Sequence, residues 1–353
     1  MKLTDMDMKQ ETATAQASIP MQYVGPVAIT GSEGHMEVMV PLATFESPLW
    51  PSVARGARVG QRAGGIFADV VDERMTRSIV LEASDAATAI RCARNLQQRK
   101  DEMAHVTQST SRYARFLDIH LQHVANLLYI RLEMHTGDAA GHNMVTAAAD
   151  HLMTWLLQTY PELSYVSISG NFCTDKKVSA VNGILGRGRH VIAEAVIAEK
   201  ICRRYLKTTP EKIVDLNIKK NLLGTTLAGG VRTANAHFAN MLLAFYLATG
   251  QDAANIVEGS QGIVHAEIRN GDLYFSVSLP HLIVGTVGNG KNLPFVRKNL
   301  DQLDCLAQRT PGENARRLAV IAAATVWCGE LSLMAALTRP GELMNAHLSI
   351  ERA

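Results

Sequence analysis

From Ser78 onward the chain runs strand, helix, strands, helix, strand, and this order constrains the fold more than any other feature. SIVLEA reads as a strand, ATAIRCARNLQQRKDEMAHV as a helix and RYARFLDIHLQHVANLLYIRLEMHT as one or two further strands; AADHLMTWLLQTY is a helix and LSYVSISG a strand. A compact α+β unit with an antiparallel sheet has this order. The unit occupies 79–170 and is inserted into a larger domain, since unrelated patterns stand on both sides of it. Before it come two strand-like pieces, MQYVGPVAIT and HMEVMVPLAT, and then a glycine-rich pattern from Pro48 to Arg77 with small residues at helical spacing. After it, apolar helices alternate with the turns GILGRGR, LAGGVRTANAH and GTVGNGKN, ending in a helix from about Gly312 to Leu337. The expected fold class is α+β: a large, mainly helical domain (19–78 and 171–337) carrying a small ferredoxin-like antiparallel insert, with a loose arm at 1–18 and a short tail at 338–353.

Composition removes several classes. With 353 residues, 47% hydrophobic and 19% charged, the chain falls in the globular range, so disorder and coiled coil are set aside. A formal net charge of +2 predicts no nucleic-acid or membrane partner, although local basic clusters remain able to hold phosphates. The longest apolar run, Leu318 to Cys328, stops at Gly329 and Glu330 and reads as a buried helix rather than a span. The first residues lack the apolar run of a signal peptide, so a cytoplasmic location is expected. Five scattered cysteines without a CxxC pair read as reduced thiols.

The usual motifs are missing. No G-x-G-x-x-G occurs, and GRGRHV from Gly186 lacks the third glycine. Gly285 to Asn292, GTVGNGKN, satisfies G-x-x-x-x-G-K but places Asn292 where a magnesium-binding hydroxyl is needed, so it reads as a tight turn after the strand DLYFSVSLP. Neither H-E-x-x-H nor G-x-S-x-G is present, and no metal is expected.

Four segments place polar residues in apolar surroundings. Glu46 lies in PLATFESPLW; Asp175, Lys176 and Lys177 follow a strand in SGNFCTDKK; Asn235, His237 and Asn240 share helical spacing in ANAHFANML, with Asp252 beginning a helix in GQDAAN; His347 sits in the tail GELMNAHLSIER. Singly, each has an ordinary reading: a turn carboxylate, a solvated charge triplet, a helix cap, a frayed histidine. Together with NIKKNL, PGENARRLA and GELSLMAAL, the set resembles the 3-hydroxy-3-methylglutaryl-coenzyme A reductase family from about Pro41 to Arg352. GNFCTDKK, GQDAAN and the string TSR favour its biosynthetic class I, in a prokaryotic member without a membrane segment.

The resemblance implies reduction of hydroxymethylglutaryl-CoA to mevalonate and free CoA, a step of isoprenoid synthesis, in two hydride transfers. It assigns Lys176 to the developing oxyanion, Glu46 to proton donation, Asp252 to tuning both, and His347 to protonation of the leaving thiolate. Arg77, Ser169, Asn171 and Asp175 match positions around the hydroxymethylglutaryl group, as do Lys177, Lys220, His237 and Asn240. Ser52, Arg55 and Arg58 match the CoA edge. The small domain becomes the nicotinamide-binding one and the large domain the substrate-binding one. Asp138, Ala139, Gly141 and Asn143 correspond to the family's cofactor string, where a helix start seats a diphosphate, and Ser111 and Arg112 correspond to the contacts of a 2′-phosphate. NADPH is therefore expected over NADH. Three departures stand out: Ala140 and His142 replace methionines of that string, and Trp50 stands at the CoA entrance. A homodimer with shared active sites is implied, a tetramer being the further option. The alternatives are NAD-linked oxidation of mevalonate and a non-catalytic homologue that binds CoA thioesters.

Overall fold

The computed structural model describes residues 17–351, apart from the side chains at 346, 347 and 349–351, so most of the 1–18 arm and the His347 side chain lie outside the described residues. Nine strands are connected through one long member. They are β1 (Met21–Thr30), β2 (Met36–Ala43), β3 (Ile66–Ala83), β4 (Arg115–Val124), β5 (Leu127–His135), β6 (Leu163–Ser167), β7 (Gly188–Ile197), β8 (Ile263–Arg269) and β9 (Asp272–Leu282). The large part is built on the path β2-β1-β3-β7-β9-β8, all antiparallel except for a short parallel contact of β1 with β3. The small part is ordered β6-β3-β5-β4 with every neighbour antiparallel.

The eighteen-residue β3 belongs to both sheets. Its first half pairs with β7 from Phe67 to Arg74, and its second half pairs with β5 from Met75 to Glu82. This corrects the helical reading of Pro48 to Arg77. Helix α1 (Leu49–Arg62) occupies the first part of that stretch, then Gly64 and Gly65 at φ 97° and 108° turn the chain, and the β-branched and apolar run from Ile66 extends as strand. The strand passes through residue 78 without a break.

The large part is also less helical than its apolar runs imply. GRHVIAEAVI forms β7 with alternating burial, and apolar runs of this length do not separate strand from buried helix by period alone. In the small part, the single helix expected after Ser84 is two, α2 (Ala86–Gln97) and α3 (Lys100–Gln108), with Asp85 capping α2 by accepting the Thr88 N–H at 2.8 Å. The two strands expected next are β4 and β5, and α4 (His142–Thr159) then precedes β6. Ala89, Cys92, Leu96, Leu152 and Leu156 of the helices join Ile79, Leu81 and Ile130 of the sheet in a core of its own.

The second core surrounds the Glu313–Leu337 helix. Its continuous burial from Leu318 to Ser332 explains why that sequence is apolar all round. It crosses α1 so closely that a Cβ on Gly56 would lie 2.0 Å from the Cys328 carbonyl oxygen. All five cysteines are free and buried.

Candidate active site

Two cavities collect most of the residues singled out in the sequence. One, of about 600 Å³, lies between the small part and the glycine-rich loops of the large part, and is lined by Arg77, Asp175, Lys176 and Asp252. The other, of about 410 Å³, lies between α1 and the Phe238–Ala248 helix, and is lined by Glu46, Ser52, Arg55, His237 and Asn240.

In the first cavity the Lys176 ammonium lies 2.7 Å from Oδ2 of Asp252. The hydrogen bond to Asp252 is the largest influence on the lysine and holds its pKa above the ordinary value. Partial burial pushes Asp252 up, but the Lys176 ammonium and the Ala254 N–H outweigh it, and the carboxyl ends below its usual range. The backbone that presents the lysine is unusual. Asn171, Thr174 and Lys176 have φ of 59°, 44° and 54°, a left-handed conformation that costs a non-glycine residue on the order of 1 kcal/mol. The Lys176 N–H is pinned by Oε1 of Glu258 at 3.1 Å. Arg187, 1% exposed, pairs with Asp175 at 2.6 Å and lies 3.6 Å from Glu258. Burial raises the pKa of Glu258, and Arg187 opposes that rise. The Asp175–Lys176 segment thus rests on a buried Arg187–Glu258 base. Sequence reading missed both residues. Their only signal is a charge set in apolar or glycine-rich surroundings, GRGRH and NIVEG.

The opposite wall is the start of α4. Ala139, Gly141 and Asn143 line the cavity there, along with the two departures, Ala140 and His142. Burial first, and then Arg187, push the His142 pKa down to about 4 although Asp175 lies 3.6 Å away, so this ring is neutral near pH 7. Asp138 serves a different end. Its two carboxylate oxygens accept the N–H groups of Gly312 and Ala315, each at 3.0 Å, and cap the Glu313–Leu337 helix. The donor set of this wall fits a nicotinamide dinucleotide: free N–H groups at a helix start face cationic side chains across an elongated cleft. Among the described residues no group of three or more His, Cys, Asp or Glu side chains is arranged to hold a metal ion.

In the second cavity Asn240 donates to Oε2 of Glu46 at 2.9 Å. The turn before the Phe238–Ala248 helix is held by Glu330, wholly buried in the Glu313–Leu337 helix, which accepts the N–H groups of Ala236 and His237. Burial raises the Glu330 carboxyl to about 7 and lowers His237 to about 4. Lys220 bears electrostatically on both groups without lining the cavity. Ser52 and Arg55 bond to Ser332, and Arg55 lies 3.7 Å from Glu342 at the start of the Glu342–Glu351 helix. Trp50 does not line the cavity; its indole donates to the Leu42 carbonyl at 2.9 Å and packs on the large core.

Other singled-out residues stand outside both cavities. Ser169, Asn171 and Lys177 are exposed on the strand-to-loop segment, and Arg58 projects from α1. Ser111 accepts the Tyr113 N–H, while the exposed Arg112 stacks on the Tyr113 ring. In one chain, Glu46 lines one cavity and the Lys176–Asp252 pair lines the other.

Comparison with known proteins places this two-part chain, with its ammonium–carboxylate pair facing a helix start, among the oxidoreductases. The chain belongs to the hydroxymethylglutaryl-coenzyme A reductase family, whose model matches residues 2–352. It is 41% identical to the 3-hydroxy-3-methylglutaryl-coenzyme A reductase of Aeropyrum pernix, over 96% of this chain and 80% of that one, and 41% identical to the enzyme of Pyrococcus horikoshii, over 97% and 83%. Among solved structures, the class II reductase of Streptococcus pneumoniae bound to NADPH shares the fold, with a TM-score of 0.74 at 21% identity over 93% of this chain and 87% of that one.

Proposed function

We propose that the protein is an NADPH-dependent biosynthetic reductase that converts hydroxymethylglutaryl-CoA to mevalonate and CoA, and that its small part is a ferredoxin-like nicotinamide-binding insert. The observation that carries this reading is the Lys176–Asp252 pair at 2.7 Å, facing the start of α4 across one cavity. Two nicotinamide nucleotides, bound in turn, would each supply one hydride of the four-electron reduction. The chain supplies charge and protons. The Lys176 ammonium stabilises the oxyanion that forms at the acyl carbon in each reduction, and Asp252 keeps that ammonium charged and aimed. Glu46, oriented by Asn240, delivers a proton to the aldehyde oxygen. Arg55 and Ser52 meet the CoA end of the thioester, while Lys177 and Lys220, which line neither cavity of the one chain, meet its free carboxylate in the shared site. Loss of the CoA thiolate calls for one more proton, the role proposed for His347.

The two cavities of one chain each hold part of this machinery, which supports a homodimer with shared sites. A surface suited to pairing is present. Val178, Ile184, Ile218, Leu223 and Leu227 are 55%, 69%, 46%, 60% and 91% exposed. Gln261 ties two of these segments together through the carbonyls of Ser179 and Val231. Apolar exposure on this scale marks an interaction surface. A cytoplasmic location is part of the same proposal. Incubation with hydroxymethylglutaryl-CoA should oxidise two NADPH per mevalonate formed, with NADH a poorer donor. Turnover with neither nicotinamide would remove the reading, and a strong NADH preference would transfer support to the NAD-linked oxidative alternative.

A further inference from the structure

Lys176 is held at two points, and both holds come from one short segment. Asp252 takes the ammonium at 2.7 Å, and Oε1 of Glu258 takes the backbone N–H at 3.1 Å. Asp252 caps the turn Ala253–Asn255 by accepting the Ala254 N–H at 3.1 Å, and the short helix Ile256–Gly259 follows without a break. Asn255 closes the unit by donating to the same Oε1 of Glu258 at 3.0 Å. Residues 252–259 thus grip one lysine by its side chain and by its backbone, although Glu258 and Lys176 stand 82 residues apart in the chain.

The backbone hold has a physical reason. At φ 54° Lys176 is in a left-handed conformation, which persists only where the surroundings over-determine it. The residues before it are fixed from other directions: the Thr174 carbonyl accepts from Asn182 at 3.2 Å, and Asp175 accepts from Arg187 at 2.6 Å. Stability alone does not account for a carboxylate at position 258. The Glu258 side chain is wholly buried, and the Arg187 guanidinium stands 3.6 Å from it while donating to Thr76 and Asp175. A buried pair of this kind is a weak source of stability, because desolvation offsets the attraction.

We propose that Glu258 is a positioning residue for the reduction: by accepting the Lys176 N–H it fixes the backbone from which the ammonium is aimed, so that Asp252 and Glu258 together set the direction of Nζ. This rests on the reductase reading and adds a residue to it. Glu258 does not line the cavity, so it acts through Lys176 and not on the substrate. The reach of its acceptor oxygen is what matters, and its charge is secondary. Two substitutions separate these properties. Glu258→Gln keeps an acceptor at the same reach and removes the charge, whereas Glu258→Asp keeps the charge and withdraws the acceptor by one methylene.

The test is steady-state turnover of hydroxymethylglutaryl-CoA with NADPH, beside thioester titration, on full-length chains shown to be folded by their thermal melts. The set is wild type, Glu258→Asp, Glu258→Gln, Lys176→Ala and the double variant of Glu258→Asp with Lys176→Ala. Misaiming the ammonium in Glu258→Asp should lower kcat by roughly 10- to 100-fold, while thioester affinity stays within about twofold. Glu258→Gln, the conservative variant, should hold kcat within about threefold of wild type. In the Lys176→Ala background the Asp substitution should cost less than about twofold more, since a residue that acts through Lys176 then has nothing to aim. Glu258→Met, similar in volume and without the acceptor, takes the place of a Glu258→Asp chain that does not fold, with the same loss of kcat expected. Losses that multiply in the double variant would overturn the proposal, by giving Glu258 a role elsewhere. So would Glu258→Asp with the kcat of the wild type, or Glu258→Gln slower than Glu258→Asp, which would make charge the property that counts. A wild type without turnover would remove the reductase reading itself, whereas the variant outcomes bear on Glu258 alone.

Discussion

Lys176 combines an ion pair, a left-handed backbone and a buried support, and each has a separate consequence. Lys176→Ala removes the proposed oxyanion donor and should lower kcat by roughly 100-fold with thioester affinity retained. Steady-state kinetics beside thioester titration measures both, and a parallel loss of affinity would make the residue one for capture. Buried titratable groups set a second expectation. His142, His237 and His281 each have a folded pKa of about 4, below the 6.5 of an ordinary imidazole. Between those values the unfolded chain binds more protons, so their contribution is present above about pH 6.5 and is lost as pH falls toward 4. Glu330 works the other way, because a carboxyl raised from 4.5 to about 7 makes stability fall as pH rises across that interval. With three histidines against this carboxyl and the smaller opposing rise of Glu258, Tm should be higher at pH 7 than at pH 5. His281→Asn should narrow the difference and Glu330→Gln should widen it, as thermal melts at both pH values would show.

At the scale of elements, helix packing depends on missing side chains. Gly56→Ala drives a methyl into the Cys328 carbonyl and should destabilise the chain by about 1–3 kcal/mol or more, read from denaturant melts. Ala57→Gly, one position along, tests only the loss of a methyl and a helix propensity. The elements also show what could be read in advance. The strand and helix order of the small part was legible because its periods are clean and its turns polar. The buried Leu318–Cys328 helix was legible from its length. β3 was hidden because small residues at helical spacing run into it, and β7 because its apolar residues, Val191, Ile192, Ala193, Ala195, Val196 and Ile197, suit helical as well as alternate spacing. Of the motif residues singled out, Lys176 meets Asp252 in one cavity and Asn240 meets Glu46 in the other. Arg187 and Glu258 were not singled out, since their partners are far away in sequence and pairing across a fold leaves no local pattern. Asp138 was found, but its carboxylate caps a helix 174 residues away, a contact that no spacing reveals.

For the whole molecule, Glu46 and Lys176 line separate cavities of one chain, and on the proposed shared-site reading association is a condition of activity. Leu227→Glu places a charge on a side chain that is 91% exposed and lines neither cavity. It should yield a folded monomer by analytical ultracentrifugation, with turnover lost together with the dimer. A dimeric variant of full activity would show that another surface mediates pairing. Reading the arrangement through β3 gives a last consequence. A strand that is a rung of both ladders leaves no slack joint at which the half proposed to carry the nucleotide can swing on a tether. Any approach of that half toward the substrate must be a torsion of β3, felt at once by its neighbours on either side. Exchange of nicotinamide preference between relatives is therefore expected to come from side chains facing the cleft, and not from transplanting the smaller half as a cassette.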